Sequence, residues 1–221
     1  MNTVHTLARY PVKSLRGEEL AVVELDERGV VDDRRWALLA ENGKFGSGKS
    51  TRRFTRMPRL LEMWAKGIWG VHTVVGLPDG REYATTDDKV HDAVSEVVGQ
   101  PVTVVEEAEI PHLDAGPLHI VTTASLRWLG AEWQRARPNI VVDVEGADRP
   151  EDDWVGRRVS VGTAELEITG QVTRCAMLEQ AQGDLPRADL LPALVPYDLA
   201  FGVYARVVRP GVIGTGDQVR F

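Results

Sequence analysis

The stretch Gly170-Gln171-Val172-Thr173-Arg174-Cys175 carries the only cysteine of this 221-residue chain. An alternating, β-branched run through Leu166, Ile168 and Val172 leads up to the thiol and predicts a strand that ends close to it. An arginine beside a cysteine favours the thiolate, which is the form that acts as a nucleophile or as a soft metal ligand. A lone cysteine is also commonly a small buried hydrophobe, so the rest of the chain has to decide between these roles.

Composition is that of a soluble globular protein, with 43% hydrophobic and 27% charged residues. One cysteine cannot form an internal disulfide, so nothing indicates an oxidising compartment. The first eleven residues lack the basic and apolar regions of a signal peptide. No window approaches the roughly 18 consecutive apolar residues that a membrane span requires. We therefore expect a cytoplasmic protein that has no membrane partner.

The charge of the chain is unevenly distributed. The net charge of -7 argues against a nucleic-acid partner. Residues 1–59 nevertheless hold 12 Lys and Arg against 8 Asp and Glu, whereas the remainder holds 14 against 25. A basic segment in an acidic chain predicts a local anion site, with a solvated basic face as the alternative.

Short strand patterns separated by turns fill the first half and favour a small barrel or sandwich. These strands are predicted at residues 4–10, 20–25, 36–40, 60–69, 71–77 and 102–105. Thr86-Asp87-Asp88 is typical of a helix start, and apolar positions recur at helical spacing from Val90 to Val98. Residues 106–116, which include Pro111, are typical of a junction, so we predict domains at 1–108 and 109–221.

The second half repeats this mixture of strands and short helices. Thr122 to Ser125 are typical of a helix start, and the free N–H groups there predict an anion site. We expect this helix to continue to Trp133. Strands are predicted at residues 118–121, 140–142 and 201–208, and residues 159–168 are predicted to form a hairpin around Gly162. Residues 183–196 are turn-rich with a short helix and are expected to cover the site as a loop.

Residues 43–50, Gly-Lys-Phe-Gly-Ser-Gly-Lys-Ser, satisfy the phosphate-loop pattern of nucleotide-binding proteins. That motif works when a strand feeds a glycine-rich loop and the loop opens a long helix. Here Gly43 already lies in a turn, and Pro58 would stop a helix after about two turns. We interpret the Gly46-Ser47-Gly48 run as an exposed loop and keep an ATP or GTP site as an alternative.

Eight stretches, taken in order, resemble the MOSC family, named for the C-terminal domain of molybdenum cofactor sulfurases. More closely, the chain is similar to the two-part members that resemble the mitochondrial amidoxime-reducing component. Two stretches resemble motifs of the family's N-terminal domain: Tyr10-Pro11-Val12-Lys13-Ser14 and Asp33-Arg34-Arg35-Trp36. Six resemble motifs of the MOSC domain itself: Thr123-Ala124-Ser125-Leu126, Arg137-Pro138-Asn139-Ile140, Arg174-Cys175, Phe201-Gly202-Val203-Tyr204, Val208-Arg209-Pro210-Gly211 and Gly216-Asp217-Gln218-Val219.

The resemblance implies a mainly β fold with a few helices, in which an N-terminal MOSC-type β-barrel-like domain packs on a MOSC β-barrel domain. It implies a molybdopterin-type molybdenum cofactor rather than pyridoxal phosphate, with Cys175 as the metal ligand and catalytic residue. A soft thiolate suits such a metal, and the phosphate and pterin of the cofactor require cationic and bidentate partners. The implied cofactor contacts are Lys13, Ser14, Arg34, Thr123, Ser125, Arg137, Asn139 and Arg174.

The resemblance also implies an oxidoreductase that reduces N-oxygenated small molecules, such as N-hydroxylated bases or amidoximes. Some bacterial relatives carry a ferredoxin-like domain with four cysteines, which this sequence lacks. We therefore expect electrons from a separate donor protein of ferredoxin or cytochrome type, with its reductase. The alternative is a non-catalytic carrier that delivers the cofactor, or sulfur, through Cys175.

Overall fold

A computed structural model describes residues 2–68 and 72–221, and these form a mainly β molecule with a few helices. The predicted fold class is therefore confirmed. Two predicted strands, 60–69 and 71–77, include Trp69 and Val71, which lie outside the described residues.

The largest sheet has eight strands and combines both ends of the chain. Its first strand, Thr3–Arg9, pairs antiparallel with Ile140–Asp143 on one side and with Glu18–Leu20 on the other. An apolar cluster that includes Leu7, Leu118 and Leu166 packs against it. From edge to edge its strands are Val219–Arg220, Arg158–Val161, Ala164–Thr173, Ala200–Arg209, Leu118–Thr122, Ile140–Asp143, Thr3–Arg9 and Glu18–Leu20.

Three smaller sheets complete the β structure. One of them joins the two halves of the chain, because Gly211–Gly214 pairs with Val22–Asp26 near the N-terminus. The domain boundary near residue 108 stays a prediction. The four-stranded sheet contains Val102–Glu106, Trp36–Ala40, Phe45–Ser47 and Phe54–Arg56. One three-stranded sheet contains Glu82–Ala84, His72–Gly76 and Trp64–Ile68. The other contains Gly211–Gly214, Val22–Asp26 and Gly29–Val30.

The helices are short, and in the described part of the chain none is long and apolar enough to cross a bilayer. The longest, α1 (Lys89–Val98), buries the apolar face that its sequence predicts and ends at Gly99, whose φ of 71° favours glycine. The α-helices are α1 (Lys89–Val98), α2 (Thr123–Leu129), α3 (Trp133–Ala136) and α4 (Leu191–Leu194). The 3₁₀ helices are Leu60–Glu62, Pro150–Trp154, Ala176–Glu179 and Val195–Tyr197.

Some local predictions were wrong for identifiable reasons. The helix expected to continue to Trp133 divides into α2 and α3, because Gly130 adopts φ 66° and ends α2. The strand predicted from residue 60 begins with a 3₁₀ turn, which follows Arg59 at φ 61°.

The interpretation of Gly46-Ser47-Gly48 as an exposed loop was also wrong, because all three residues are buried. Phe45–Ser47 is a fully buried strand that pairs in parallel with Phe54–Arg56. Its position follows from the apolar side chains of Phe45 and Phe54, which pack with Ala37. The element that comes directly after Ser50 is the strand Phe54–Arg56 and not a helix. The phosphate-loop geometry is therefore not formed there.

Candidate functional site

Seven of the nine predicted site residues line one cavity of about 80 Å³. They come from both halves of the chain: Lys13, Ser14, Arg34, Arg137, Asn139, Arg174 and Cys175. A larger cleft of about 630 Å³ lies elsewhere, and none of the nine lines it. The chemistry that the sequence indicates is therefore concentrated in the smaller cavity.

Lys13 brings a buried ammonium group to the cavity from the turn after the first strand. Its backbone N–H donates to the carbonyl oxygen of Trp36 at 2.8 Å, which fixes the turn against the next sheet. Its side chain is 2% exposed, and its Nζ lies 3.2 Å from an Asp114 carboxylate oxygen. Burial lowers the pKa of Lys13 to about 8, although Asp114 acts in the opposite direction. This lysine can therefore exchange a proton close to neutral pH.

Arg34 reaches the cavity on a buried acidic support. Its Nη1 bonds to Asp33, whose second carboxylate oxygen accepts the backbone N–H of Tyr10 at 2.7 Å. Burial acts to lower the pKa of Arg34, but the Asp33 and Asp114 carboxylates outweigh it and raise the pKa above its ordinary value. Arg34 is thus a permanently charged part of the wall.

Arg137 is the C-terminal cap of α3 and lies over Tyr10, with its guanidinium carbon 4.4 Å from the ring centroid. Tyr10 in turn donates its hydroxyl to the carbonyl oxygen of Pro138 at 3.1 Å. The Nη1 atom of Arg137 is buried and has no hydrogen-bond partner. Burial lowers the pKa of Arg137 to about 10. The fold therefore buries a guanidinium group with an Nη1 that no protein atom satisfies, which is unfavourable unless water or a ligand bonds to it.

Asn139 is fully buried, and its side chain bonds to the backbone of the fold. Its Oδ1 accepts the backbone N–H of His119 at 3.2 Å, and its Nδ2 donates to the carbonyl oxygen of Ala8 at 3.3 Å. Burial and the Arg174 charge lower the pKa of His119 well below its ordinary value, so this ring is neutral. Asn139 thus orders the wall of the cavity through bonds to two strands.

Arg174 and Cys175 follow the strand Ala164–Thr173 directly, as the sequence predicts. Arg174 donates from Nη2 to the carbonyl oxygen of Ala136 at 2.8 Å, while its Nε is buried without a partner. Burial lowers the pKa of this guanidinium. Cys175 has extended backbone, precedes the turn Ala176–Glu179 and is a half-buried free thiol. The thiol of Cys175 therefore follows directly after a guanidinium group, that of Arg174, whose Nε has no protein partner.

Three residues of the cavity adopt left-handed backbone although they are not glycine. Ser14 has φ 67°, Arg34 φ 52° and Arg137 φ 55°. Such conformations cost on the order of 1 kcal/mol each and persist where the surroundings impose them, which is common at functional sites. Ser14 is fixed by a hydrogen bond from its hydroxyl to the carbonyl oxygen of Gly46 at 3.2 Å.

Positive charge dominates the described lining of the cavity. Its cations are Lys13, Arg34, Lys49, Arg137 and Arg174, and its only carboxylate is that of Asp114. Burial acts to raise the pKa of Asp114, but Lys13, Lys49 and Arg34 outweigh it and lower the pKa to about 2. The arrangement favours a ligand with several negative charges and hydrogen-bond acceptors.

Sequence reasoning missed Lys49 and Asp114 as site residues. Lys49 belongs to the phosphate-loop pattern. Its position in the basic segment was the only sequence feature that indicated an anion-binding role. Its Nζ lies 3.6 Å from Asp114. Asp114 lies in the segment predicted as a junction, where no local pattern distinguishes it. Only the tertiary contacts place its carboxylate between two lysines.

Thr123 and Ser125 do not line this cavity. The Ser125 hydroxyl donates to the buried carboxylate of Glu151 at 2.7 Å, and Thr123 donates to Asp143 at 2.9 Å. The backbone N–H of Ser125 is capped by the hydroxyl of Thr122 at 3.0 Å. The anion position predicted at this helix start is thus filled from within the chain, and both residues are left out of the proposed contacts.

The donor set fits an anionic group that brings most of its own metal ligands. Within the described ranges, no group of three or more His, Cys, Asp and Glu side chains is arranged to hold a metal ion. Cys175 would therefore act as a single protein ligand to a metal that is otherwise bound by its cofactor. The cavity of about 80 Å³ has room for only about three waters. Rim side chains such as the half-exposed Lys49 must move to admit a larger group.

Comparison with known proteins gives two family matches. A family model described as the MOSC domain matches residues 87–220, and one described as the MOSC N-terminal beta barrel domain matches residues 1–99. Among solved structures, that of the YuaD protein from Bacillus subtilis is 14% identical in sequence with a TM-score of 0.47. The match covers 99% of this chain and 94% of that one. YiiM from Geobacillus stearothermophilus is 20% identical with a TM-score of 0.36, over 47% and 53%. No curated protein matches this chain.

Proposed function

The chain belongs to the MOSC family, which is associated with molybdenum cofactor binding, and from that membership we propose that the cavity at Cys175 holds a molybdopterin-type molybdenum cofactor. One observation carries the proposal. Two buried guanidinium groups, Arg137 and Arg174, border the same cavity as the lone thiol and keep N–H atoms without partners. Buried polar atoms in folded proteins nearly always bond to protein, to water or to a ligand, so these N–H groups are available to an anion that enters the cavity.

The residues divide into a metal ligand and a set of anion contacts. Cys175 would bind the metal, because a thiolate is a soft ligand. Arg137 and Arg174 would donate to the phosphate or the pterin, and Lys13 would add charge at the same wall. When bound, this group supplies two-electron redox chemistry at a metal.

We propose that the reaction is the reduction of an N-hydroxylated compound to the parent base. The N–O bond breaks, the oxygen leaves as water, and two protons and two electrons are consumed. The electrons come from a separate donor protein. Lys13 supports the proton balance, because its Nζ has a pKa of about 8 and so is largely protonated at pH 7. Asp114, at 3.2 Å, keeps this ammonium group in place.

Cofactor content tests the assignment most simply. Wild type and Cys175→Ala, both produced in a host that makes the cofactor, are analysed for molybdenum and for pterin fluorescence. We expect near-stoichiometric molybdenum and pterin in the wild type and loss of molybdenum in the variant. Molybdenum retained in full by Cys175→Ala would overturn the ligand assignment.

Turnover tests the reaction separately from binding. The loaded wild type should reduce an amidoxime with reduced methyl viologen as the electron source. A loaded protein that binds cofactor but turns over none of these compounds would overturn the proposed reaction while keeping the cofactor site.

The half-buried position of Cys175 favours one second candidate, because another protein could reach its sulfur. In that case the chain would carry the cofactor or sulfur without redox turnover. Mass analysis that finds a persulfide on Cys175, together with no reductase activity, would favour the carrier.

A further inference from the structure

Residues 44–59 hold a concentration of positive charge, of which only Lys49 lines the cofactor cavity. This segment has six Lys and Arg and no Asp or Glu, in a chain whose net charge is -7. Two of the six are neutralised, since Lys49 pairs with Asp114 at 3.6 Å and Arg59 with Glu62 at 2.9 Å. The other four form no ion pair with any residue of the described chain and are called the basic face: Lys44, Arg52, Arg53 and Arg56.

The residues of the basic face lie next to a pair of hydrogen-bonded strands. Its cations flank the parallel strands Phe45–Ser47 and Phe54–Arg56. The Nζ of Lys44 donates to the carbonyl oxygen of Thr51 at 3.1 Å, and Arg53 donates to the carbonyl oxygen of Pro111. Arg52 and Arg56 are exposed. Backbone contacts therefore order Lys44 and Arg53, and no carboxylate of the described chain pairs with any of the four.

This pair of strands lies next to the cavity. The ring of Phe54 is 5.1 Å from the guanidinium carbon of Arg53 and 4.3 Å from the Nζ of Lys13, a cavity residue. The same aromatic ring thus contacts a cation of the basic face and a cation of the site. On the same side, Gly48 packs so closely on Met177 that a Cβ there would overlap the Met177 side chain. Met177 lines the cavity two residues after Cys175.

We propose that the basic face is the docking surface for the electron donor, a small acidic protein that carries a one-electron centre. This inference rests on the proposed function, which requires two electrons for each N–O bond that breaks. The donor is oxidised by one electron at each of two encounters, and the loaded site is reduced by two. Complementary charge speeds such encounters by about 10- to 1,000-fold and orients the partner. The contacts through Phe54 bring that partner next to the cavity.

The test compares two double charge reversals of equal net charge. Arg52→Glu with Arg56→Glu changes the basic face without touching a cavity residue. Lys66→Glu with Lys89→Glu is the matched control, because both of these lysines are exposed and form no ion pair with a described residue. Each loaded protein is assayed with an acidic [2Fe–2S] ferredoxin and its reductase, and separately with reduced methyl viologen.

We expect the basic-face variant to lose at least about 10-fold in kcat/KM for ferredoxin at low ionic strength, and to lose most of its salt dependence. The control variant should stay within about 2-fold of wild type, and both should keep the turnover with methyl viologen. Equal losses in the two variants, or no loss in either, would overturn the docking surface. No turnover with methyl viologen in the wild type would instead reject the proposed reaction.

Equilibrium binding of the oxidised ferredoxin gives a readout that does not depend on turnover. By titration calorimetry, wild type and control should bind it with similar affinity, and the basic-face variant at least about 10-fold more weakly at low salt. A single-stranded oligonucleotide provides the comparison for a polyanion partner. If it binds the wild type more tightly than ferredoxin does, the face belongs to a nucleic acid and the proposal is wrong.

Discussion

Glu151 and Arg137 are both charged side chains in the interior, with exposed fractions of 1% and 8%, yet their surroundings differ. The Glu151 carboxylate accepts the hydroxyls of Thr122 and Ser125, each at 2.7 Å. Arg137 has a buried Nη1 without a partner. A buried charge that the chain satisfies is part of the architecture, whereas one that it leaves incomplete is available for a ligand.

The same contrast extends to the residues around each charge. Arg137 adopts left-handed backbone, and the nearby Arg34 contributes to lowering its pKa. Glu151 lies among hydroxyl donors at the start of α2. The cavity is therefore held together against local preference, and this predicts that changes in the two regions act on stability in opposite directions.

The largest effect on stability is expected from Glu151→Ala. The change removes the acceptor of two buried hydroxyls and leaves a cavity, so the free energy of unfolding should fall by about 3 kcal/mol. Urea denaturation measures it. Glu151→Gln keeps an acceptor and should cost less than half as much. A loss below about 0.5 kcal/mol for Glu151→Ala would contradict the view that this site is architectural.

A smaller effect is expected from the titration of Lys13 in the ligand-free protein. Its pKa is about 8 in the folded state and 10.5 when unperturbed, so between these values the unfolded chain binds more protons. Stability from this group is therefore present above about pH 10.5 and is lost as pH falls through 8, and between pH 7.5 and pH 9.5 it should rise by about 2 kcal/mol. Denaturation at pH 7.5 and pH 9.5 should show this rise in wild type and not in Lys13→Met. An equal rise in both proteins would assign it to other groups.

The affinity for an anionic ligand should change in the opposite direction. Because the protonated Lys13 attracts the anion, cofactor retention should weaken as pH rises through about 8. Dialysis of the loaded protein at pH 7 and pH 9, followed by molybdenum analysis, measures the retention. A retention that is independent of pH in the wild type would remove Lys13 from the contacts.

The smallest effect on stability is expected from Cys175→Ala. The thiol is half-buried, free and outside the apolar clusters, so the free energy of unfolding should change by less than about 0.5 kcal/mol. This variant thus separates loss of the metal from loss of the fold. A cost above 2 kcal/mol would indicate that Cys175 is a core residue.

Local patterns predicted the elements that carry the site but not all of its chemistry. The alternation before Cys175 and the amphipathic spacing of α1 depend on neighbours in sequence, and both features formed as predicted. The helix start at Thr123 gave the same signal that a ligand site gives. The carboxylate that fills this helix start belongs to Glu151, which lies in a later turn of the chain. No local pattern reveals the contact between Ser125 and Glu151. Asp114 escaped prediction for the same reason.

The most direct test of the contrast is the replacement Arg137→Met, with the melting temperature measured in the ligand-free and the cofactor-loaded state. Methionine keeps an unbranched apolar side chain and the same left-handed backbone cost, so the change removes the guanidinium group together with its contact to Tyr10. We predict that the ligand-free variant is more stable than the ligand-free wild type by about 1 kcal/mol. Loading should raise the melting temperature of the wild type and not that of the variant. A ligand-free variant that is less stable than wild type, and that gains as much from loading, would contradict the central claim that Arg137 is held incomplete for the cofactor.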